Sequence, residues 1–229
     1  MIQVLNRGGI NITFLGHSGF IFEKDGHKIA VDPFLTNAPM AVKTPDEIIV
    51  DDILVTHGHP DHIGDSISIA RKNDVTITTT FEVARYLQNN GAKAFGVPIG
   101  VEQLFPWGKA IFRPAVHSGL LPDNTPFDIS AGIIFDFGSF RIYHLGDTAI
   151  NLDFKLVKEI YQPDMALIPI GGRVNMDIPQ AVLAAEWLGV KTVVPIHYDL
   201  FTQGPVNPLD FKKLIDSKNS RIECIVMEP

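Results

Sequence analysis

The chain reads as an α/β (α+β) protein in which two sheets pack face to face under outer helices, and three observations predict it. Each half opens on short β-rich runs and closes on strands that alternate with helical stretches. Gly, Asn and Pro separate the early runs, as hairpins and turns require. No tandem repeat, low-complexity tract or long linker divides the 229 residues, 45% of them hydrophobic. One domain spanning 1–229 with a large core is therefore expected, although length alone also admits two small ones.

Taken in order, "NITFLG" (11–16), "GFIFEKDG" (19–26), "KIAVDPF" (28–34) and "DDILVTH" (51–57) are strands. The pattern then changes to a helix over 65–73, a strand over 74–80, and a helix over 81–91 that stops at Gly91. The second half repeats these events with strands at 109–117, 131–138 and 140–147, a helix at 154–162 and a strand at 165–170. Pro179 opens a helix, 190–197 is a strand, and Asn207 with Pro208 forms the N-cap and first-turn pair of a helix over 208–219. The Pro-, Asp- and Asn-rich stretch 117–128 has no periodic apolar face and is the expected mobile loop.

Composition narrows the function. The first residues show no basic segment followed by an apolar one, and no apolar run approaches the roughly 18 residues of a spanning helix, so a soluble cytoplasmic protein is expected. The single cysteine, Cys224, excludes an internal disulfide framework and a thiolate zinc cluster, and in "RIECIVM" it reads as a small hydrophobe. A net charge of −7 with 19 Lys and Arg provides no broad basic surface, which argues against nucleic acid as partner. The apolar excess is compatible with a homo-oligomer interface.

The chemistry is concentrated in "THGHPDHIGD" (56–65), which spends three of the eight histidines directly after an apolar strand. His57 and His59 leave the sheet on one side, and Asp61 with His62 follow in the next turn. Further donors stand at or just beyond other strand ends: His117, Asp147 and His197. Ligands gather outside the carboxyl ends of strands in open α/β architectures. Any one of these histidines alone reads equally well as a hydrogen-bonded structural residue. The HxHxDH order together with the later donors points instead to a metal site.

The succession "HGHPDH", "AVHSG", "YHLGDT" and "PIHYD" resembles the metallo-β-lactamase superfamily over nearly the whole chain. Within it, "FLGHSGF", "VDPFL" and "MDIPQAVLAAEWLGVKTVVPIHYD" are similar to the small metal-dependent hydrolases related to ascorbate-6-phosphate lactonase. The resemblance implies a four-layered αββα sandwich. It also implies one ion held by His57, His59 and His117, and a second held by Asp61, His62 and His197, with Asp147 bridging. No basic residue matches the one that antibiotic-hydrolysing members direct at the drug carboxylate. The segment after His197 is too short for the helical region of the glyoxalase-II-type thioesterases, and no RNA-processing insertion is visible. His59 stands where the oxygen-reducing flavodiiron relatives carry an acid.

The expected activity is hydrolysis of a small ester, lactone or phosphate-bearing metabolite, with a hydroxide shared by two divalent ions as nucleophile. Zinc is the first choice and manganese the second, with iron or nickel also suited to mixed N/O donors. A phosphodiesterase and a non-catalytic metal-binding module are the alternatives. Asp61 is read as both ligand and acceptor for the nucleophilic water, and no serine here has the nucleophile-elbow pattern. Asp32 is expected behind a ligand histidine, fixing its tautomer, as against an ordinary turn-starting Asp before Pro33. His144 can stand behind a ligand in the same way, or be structural. His17 is expected at the pocket mouth, touching substrate or giving a proton to the leaving group. Arg173, after the paired Gly171 and Gly172, is the candidate partner for an anionic substrate group, the plainer reading being a solvated rim residue.

Overall fold

The computed structural model describes residues 3–127, 129–199, 206–218 and 221–229. One sheet runs in strict chain order from β1 (Val4–Arg7) through β2 (Ile10–Gly16), β3 (Gly19–Lys24), β4 (His27–Val31), β5 (Asp52–Leu54) and β6 (Ile77–Thr79) to β7 (Ala94–Gly96). The other runs from β8 (Glu102–Phe105) through β9 (Gly108–Ala115), β10 (Ser130–Asp136), β11 (Arg141–His144), β12 (Met165–Pro169) and β13 (Thr192–Ile196) to β14 (Glu223–Cys224). Each sheet begins as an antiparallel meander and continues as parallel strands from β4 and β11 onward. The change follows from the connections. Short turns permit only antiparallel neighbours, and helical crossovers deliver parallel ones.

The crossover helices are α1 (Pro60–Ile63), α2 (Ser66–Asn73) and α3 (Phe81–Asn89) on the first sheet, and α4 (Asp153–Ile160), α5 (Ile178–Leu188) and α6 (Pro208–Ser217) on the second, while the β4–β5 connection carries only a 3-10 turn, Pro45–Glu47. Asp177 caps α5 by accepting from the Gln180 amide at 2.9 Å, with Pro179 in the first turn. Asn207 caps α6 through the Leu209 amide at 3.0 Å. The last residue of the expected 208–219 helix, Asn219, lies outside the described residues.

Three apolar layers hold these parts. Phe14, Phe20 and Phe22 meet Phe112, Ile133 and Phe135 between the sheets. Ile53, Ile77, Val83 and Leu87 join the first sheet to its helices, and Tyr143, Phe154, Ala185 and Phe211 join the second to its own. The order is therefore helix, sheet, sheet, helix, the αββα sandwich expected from the two halves. Cys224 is buried in the last of these layers, and burial pushes its thiol up to about 12.

Two features differ from expectation. Strands β1, β7, β8 and β14 join as short pieces with little apolar alternation to announce them. The stretch 117–127 is anchored rather than free. Leu120 bridges Pro126, the Leu121 amide donates to the Thr125 carbonyl at 2.8 Å, and Leu121 and Phe127 are buried in the first sheet's helical layer. Asp128, the end of the expected loop, lies outside the described residues.

Candidate metal centre

Every donor named from the sequence motifs lies at one end of the sandwich, where the parallel strands terminate. Chain direction there changes within one or two residues, and three of the side chains sit at backbone positions with positive φ: His17 at 55°, Asp32 at 45° and His197 at 54°. A left-handed conformation costs an L-residue roughly 1–2 kcal/mol, so the surrounding contacts must hold it. Part of that hold is visible: the His197 amide donates to the His17 carbonyl at 2.9 Å, tying one sheet's loop to the other's.

Pro60 occupies the first turn of α1 and fixes the bend that sets Asp61 and His62 beside His57 and His59. Gly64 ends the turn at φ 47°, where a Cβ would lie 2.5 Å from the Pro33 carbonyl oxygen. That passage lets Asp65 accept from the Leu35 and Thr36 amides, each at 2.8 Å. Asp65 therefore builds the loop and holds no ligand.

The donors fall into adjoining groups. His57 Nε2 and His117 Nε2 each approach His59 Nδ1 to 3.0 Å. A tetrahedral ion with nitrogen ligands at about 2.0–2.1 Å spaces its donors about 3.3 Å apart, so this trio is nearly set for one. His17, Asp61, His62 and His197 form a second group, and His57, His62 and Asp147 a third between them. Asp147 reaches both sides. Its Oδ2 is 3.7 Å from His117 Nε2 and 3.1 Å from His197 Nε2, and its Oδ1 is 3.8 Å from His62 Nε2.

A profile of the β-lactamase superfamily domain matches residues 11–197. The chain belongs to the metallo-β-lactamase superfamily. Among similar members, a UPF0173 metal-dependent hydrolase of Archaeoglobus fulgidus is 37% identical over 224 residues, 96% of each chain. Another from Bacillus cereus is 36% identical over 218 residues, 93% of this chain and 96% of the relative. The solved structure of Igni18, a metallo hydrolase from Ignicoccus hospitalis, aligns with a TM-score of 0.86 at 34% identity, covering 96% of this chain and 95% of that one.

Ions fit this member of the superfamily on the evidence of its own atoms. His62 Nε2 and His197 Nδ1 are buried without a hydrogen-bond partner among the described residues, a costly condition unless something else takes their lone pairs, and His197 Nε2 faces the carboxylates of Asp147 and Asp61 at 3.1 and 3.4 Å. The Nδ1 edges of the His62 and His57 rings are committed. Asp32 accepts from the Thr56 amide (2.8 Å), the Thr56 hydroxyl (2.7 Å) and His62 Nδ1 (2.7 Å), which leaves His62 Nε2 as its lone-pair nitrogen. Thr56 Oγ1, having donated to Asp32, accepts from His57 Nδ1 at 3.0 Å and turns Nε2 toward His59.

Electrostatics separates the two sides. Burial, followed by neighbouring histidines, holds His57 well below the usual imidazole value, and burial likewise lowers His59 and His117. Neutral rings of this kind are ready ligands. Burial also opposes charge on His197, but Asp147 and Asp61 outweigh it and push the ring up to about 10. His62 is raised in the same way, burial being overcome chiefly by Asp32. The carboxyls of Asp61 and Asp147 lie far below the ordinary range, since their histidine contacts prevail over burial.

Three sequence readings need correction. His17 does not reach the pocket mouth: it is 1% exposed, with Nδ1 2.6 Å from Asp199 Oδ1 and Nε2 3.1 Å from Asp61 Oδ2. Both nitrogens being engaged, it positions Asp61. His144 stands behind no ligand ring directly. Its Nε2 donates to the Ser18 carbonyl at 2.8 Å and its Nδ1 accepts from the Gly146 amide at 3.1 Å, bracing the loops that carry His17 and Asp147. Arg173 is exposed, and its neighbour Val174 lines the cavity in its place.

Two residues went unnoticed in the sequence. Asp199 lies in the quoted "PIHYD" and was given no role. Asn175 donates from Nδ2 to Asp147 Oδ1 at 3.1 Å and accepts from the Gly172 amide at 3.2 Å, which aims the central carboxylate. The order of residues alone offered no signal for Asn175.

Proposed function

We propose that this metal-dependent hydrolase holds two divalent cations, one at His57, His59 and His117 and one at Asp61, His62 and His197, with Asp147 between them. The observation that carries the reading is the set of buried, unpaired nitrogens on His62 and His197 beside a complete histidine trio. Divalent cations bound there would lower the pKa of a bound water from about 15.7 toward about 7 and would polarise the acyl or phosphoryl oxygen under attack. Zinc suits the histidine-rich trio, and manganese the side with more carboxylate.

The chain's own residues provide the rest. Asp61 lines a cavity of about 480 Å³ with His59, His117, Asp147 and His197. Its Oδ2 is held by His17, so Oδ1 is the acceptor we assign to the proton of the attacking water. Asp199 fixes the His17 ring from behind, and Asp32 and Thr56 fix His62 and His57. The substrate is a small ester, lactone or phosphate-bearing metabolite.

The test is metal content by mass spectrometry on protein purified without added metal, beside His59→Ala, followed by turnover on esters, lactones and phosphodiesters. About two equivalents per chain, reduced in the variant, with hydrolysis of one of these classes, supports the reading. Full metal occupancy with no turnover on any of them would turn it into a metal-binding module. Less than half an equivalent in both proteins, even after reconstitution, would remove the metal site.

A further inference from the structure

The metal cavity has a polar floor and an aliphatic rim. Val116 and Val174 line it while remaining 57% and 49% exposed. Leaving aliphatic side chains in water at the entrance to a site forgoes burial unless a ligand covers them. The two valines come from two different loops, one after β9 and one after β12, and line the same cavity.

The second observation concerns charge. Every Lys and Arg of the chain lies among the described residues, and none lines the cavity. Of the described segments that frame this end of the sandwich, 116–127, 147–152 and 197–199 contain no Lys or Arg at all. The cations nearest in sequence to the lining residues are placed elsewhere: Arg173 is exposed, and Arg113 is paired with Asp153 at 3.0 Å. A phosphate carried at a distance from the reacting bond needs a guanidinium, an ammonium or a helix N-terminus to receive it. The lining supplies histidines, carboxylates, a serine and valines.

We infer that the substrate is a neutral carboxylic ester or lactone with an aliphatic acyl part, seated on the Val116 and Val174 rim, and that a metabolite carrying a phosphate apart from the reacting bond is a poor substrate. The inference rests on the hydrolase reading above and narrows it. Water adds across the acyl C–O bond; the acyl carbon keeps the new C–O bond as carboxylate, and the alkoxide leaving oxygen takes up a proton. A lactone opens to a hydroxy acid by the same balance.

The experiment uses the metal-loaded enzyme with p-nitrophenyl acetate, butyrate and hexanoate, an aliphatic δ-lactone, p-nitrophenyl phosphate and bis(p-nitrophenyl) phosphate. Expected is a kcat/KM that rises with acyl length by up to about fourfold per methylene, the ceiling for full burial. Val174→Asp should lower the ratio of hexanoate to acetate kcat/KM toward one, through KM on hexanoate, and Arg173→Ala should leave hexanoate turnover as it was. A higher kcat/KM on either phosphate, or a flat response to acyl length, would overturn the inference while the hydrolase reading stands. Full metal occupancy with no turnover on any probe would overturn both.

Discussion

Gly119→Ala is the sharpest test of how closely the 117–120 loop is fitted to the metal centre. A Cβ on Gly119 would lie 1.7 Å from His59 Nε2, 2.6 Å from Cε1 and 2.7 Å from Cδ2. Ordinary contact begins at 3.4 Å, so the ring must retreat by roughly 1.7 Å or the loop must lift away. Metal–ligand distances tolerate only about ±0.2 Å. The ring's other nitrogen, Nδ1, is the atom that meets His57 and His117, so pushing Nε2 levers Nδ1 out of the trio. His59 is only partly buried, which gives the ring somewhere to go and makes the move cheap for the fold. The expected result is a metal-free Tm within a few degrees of wild type and affinity for the first ion weakened at least 10- to 100-fold, the loss usual when even a supporting contact of a ligand is removed. The assay is titration against a chromophoric chelator, with thermal melts of chelator-treated protein alongside. Unchanged affinity would refute the reasoning by showing that the loop yields without moving His59.

Other perturbations reach the remaining parts of the site. Asp32→Asn should lower metal affinity about 10- to 100-fold and also reduce Tm, because three donors lose a carboxylate acceptor; unchanged metal content and turnover would separate Asp32 from the centre. His144→Ala leaves the buried Ser18 carbonyl unpaired and opens a void, a destabilisation of about 2–4 kcal/mol measurable by urea unfolding. Its failure to alter stability would mean that the two loops are held elsewhere. The two ions should differ in pH dependence. His197, raised to about 10, carries its proton in the metal-free chain at neutral pH, so cation binding there must expel it and affinity should climb about tenfold per unit from pH 7 to 9. The His57, His59 and His117 trio is lowered instead and should bind with little pH dependence above 7. Calorimetry in buffers of different ionisation heat would count the protons, and equal release at both steps would contradict the assignment. In the metal-free protein the same shift stabilises the fold fully below about 6.5, and that contribution fades as pH rises through about 10. Cys224, buried with its thiol pushed up to about 12, should resist thiol reagents until the protein unfolds.

What the sequence disclosed, and what it withheld, follows from how far each cause reaches along the chain. The HxHxDH cluster was legible because one strand end and one turn place four donors by local geometry alone, with Pro60 setting the turn. His117, Asp147 and His197 were legible because each follows an apolar strand, and strand ends gather where a parallel sheet terminates. The αββα order was legible for a similar reason: helices recurred between buried strands in both halves. Strands β7 and β8 escaped notice because they are sheet edges with exposed apolar residues, Phe95 and Leu104, where alternation should have been. The 117–127 loop reads as polar in sequence, yet Leu121 and Phe127 anchor it, and two buried residues without a period leave no pattern to find.

The site's supporting residues show the same limit more sharply. His17 and Asp199 are separated by 182 positions and meet at 2.6 Å only because the β2–β3 turn and the end of β13 belong to different sheets that close on each other. Nothing local distinguishes Asp199 from any loop aspartate. In the 171–177 loop, Arg173 looked chemically attractive, and it was Asn175 whose amide turned inward to Asp147. A guanidinium can remain in water at little cost, whereas the Asn175 amide, accepting from the Gly172 N–H, brings a donor to Oδ1 of the buried Asp147 carboxylate. Ligands can be read from sequence where the backbone delivers them in one turn. The residues that hold those ligands in tautomer and angle are selected by the closure of two sheets, and that closure also leaves the cavity lined by valine and by no lysine or arginine.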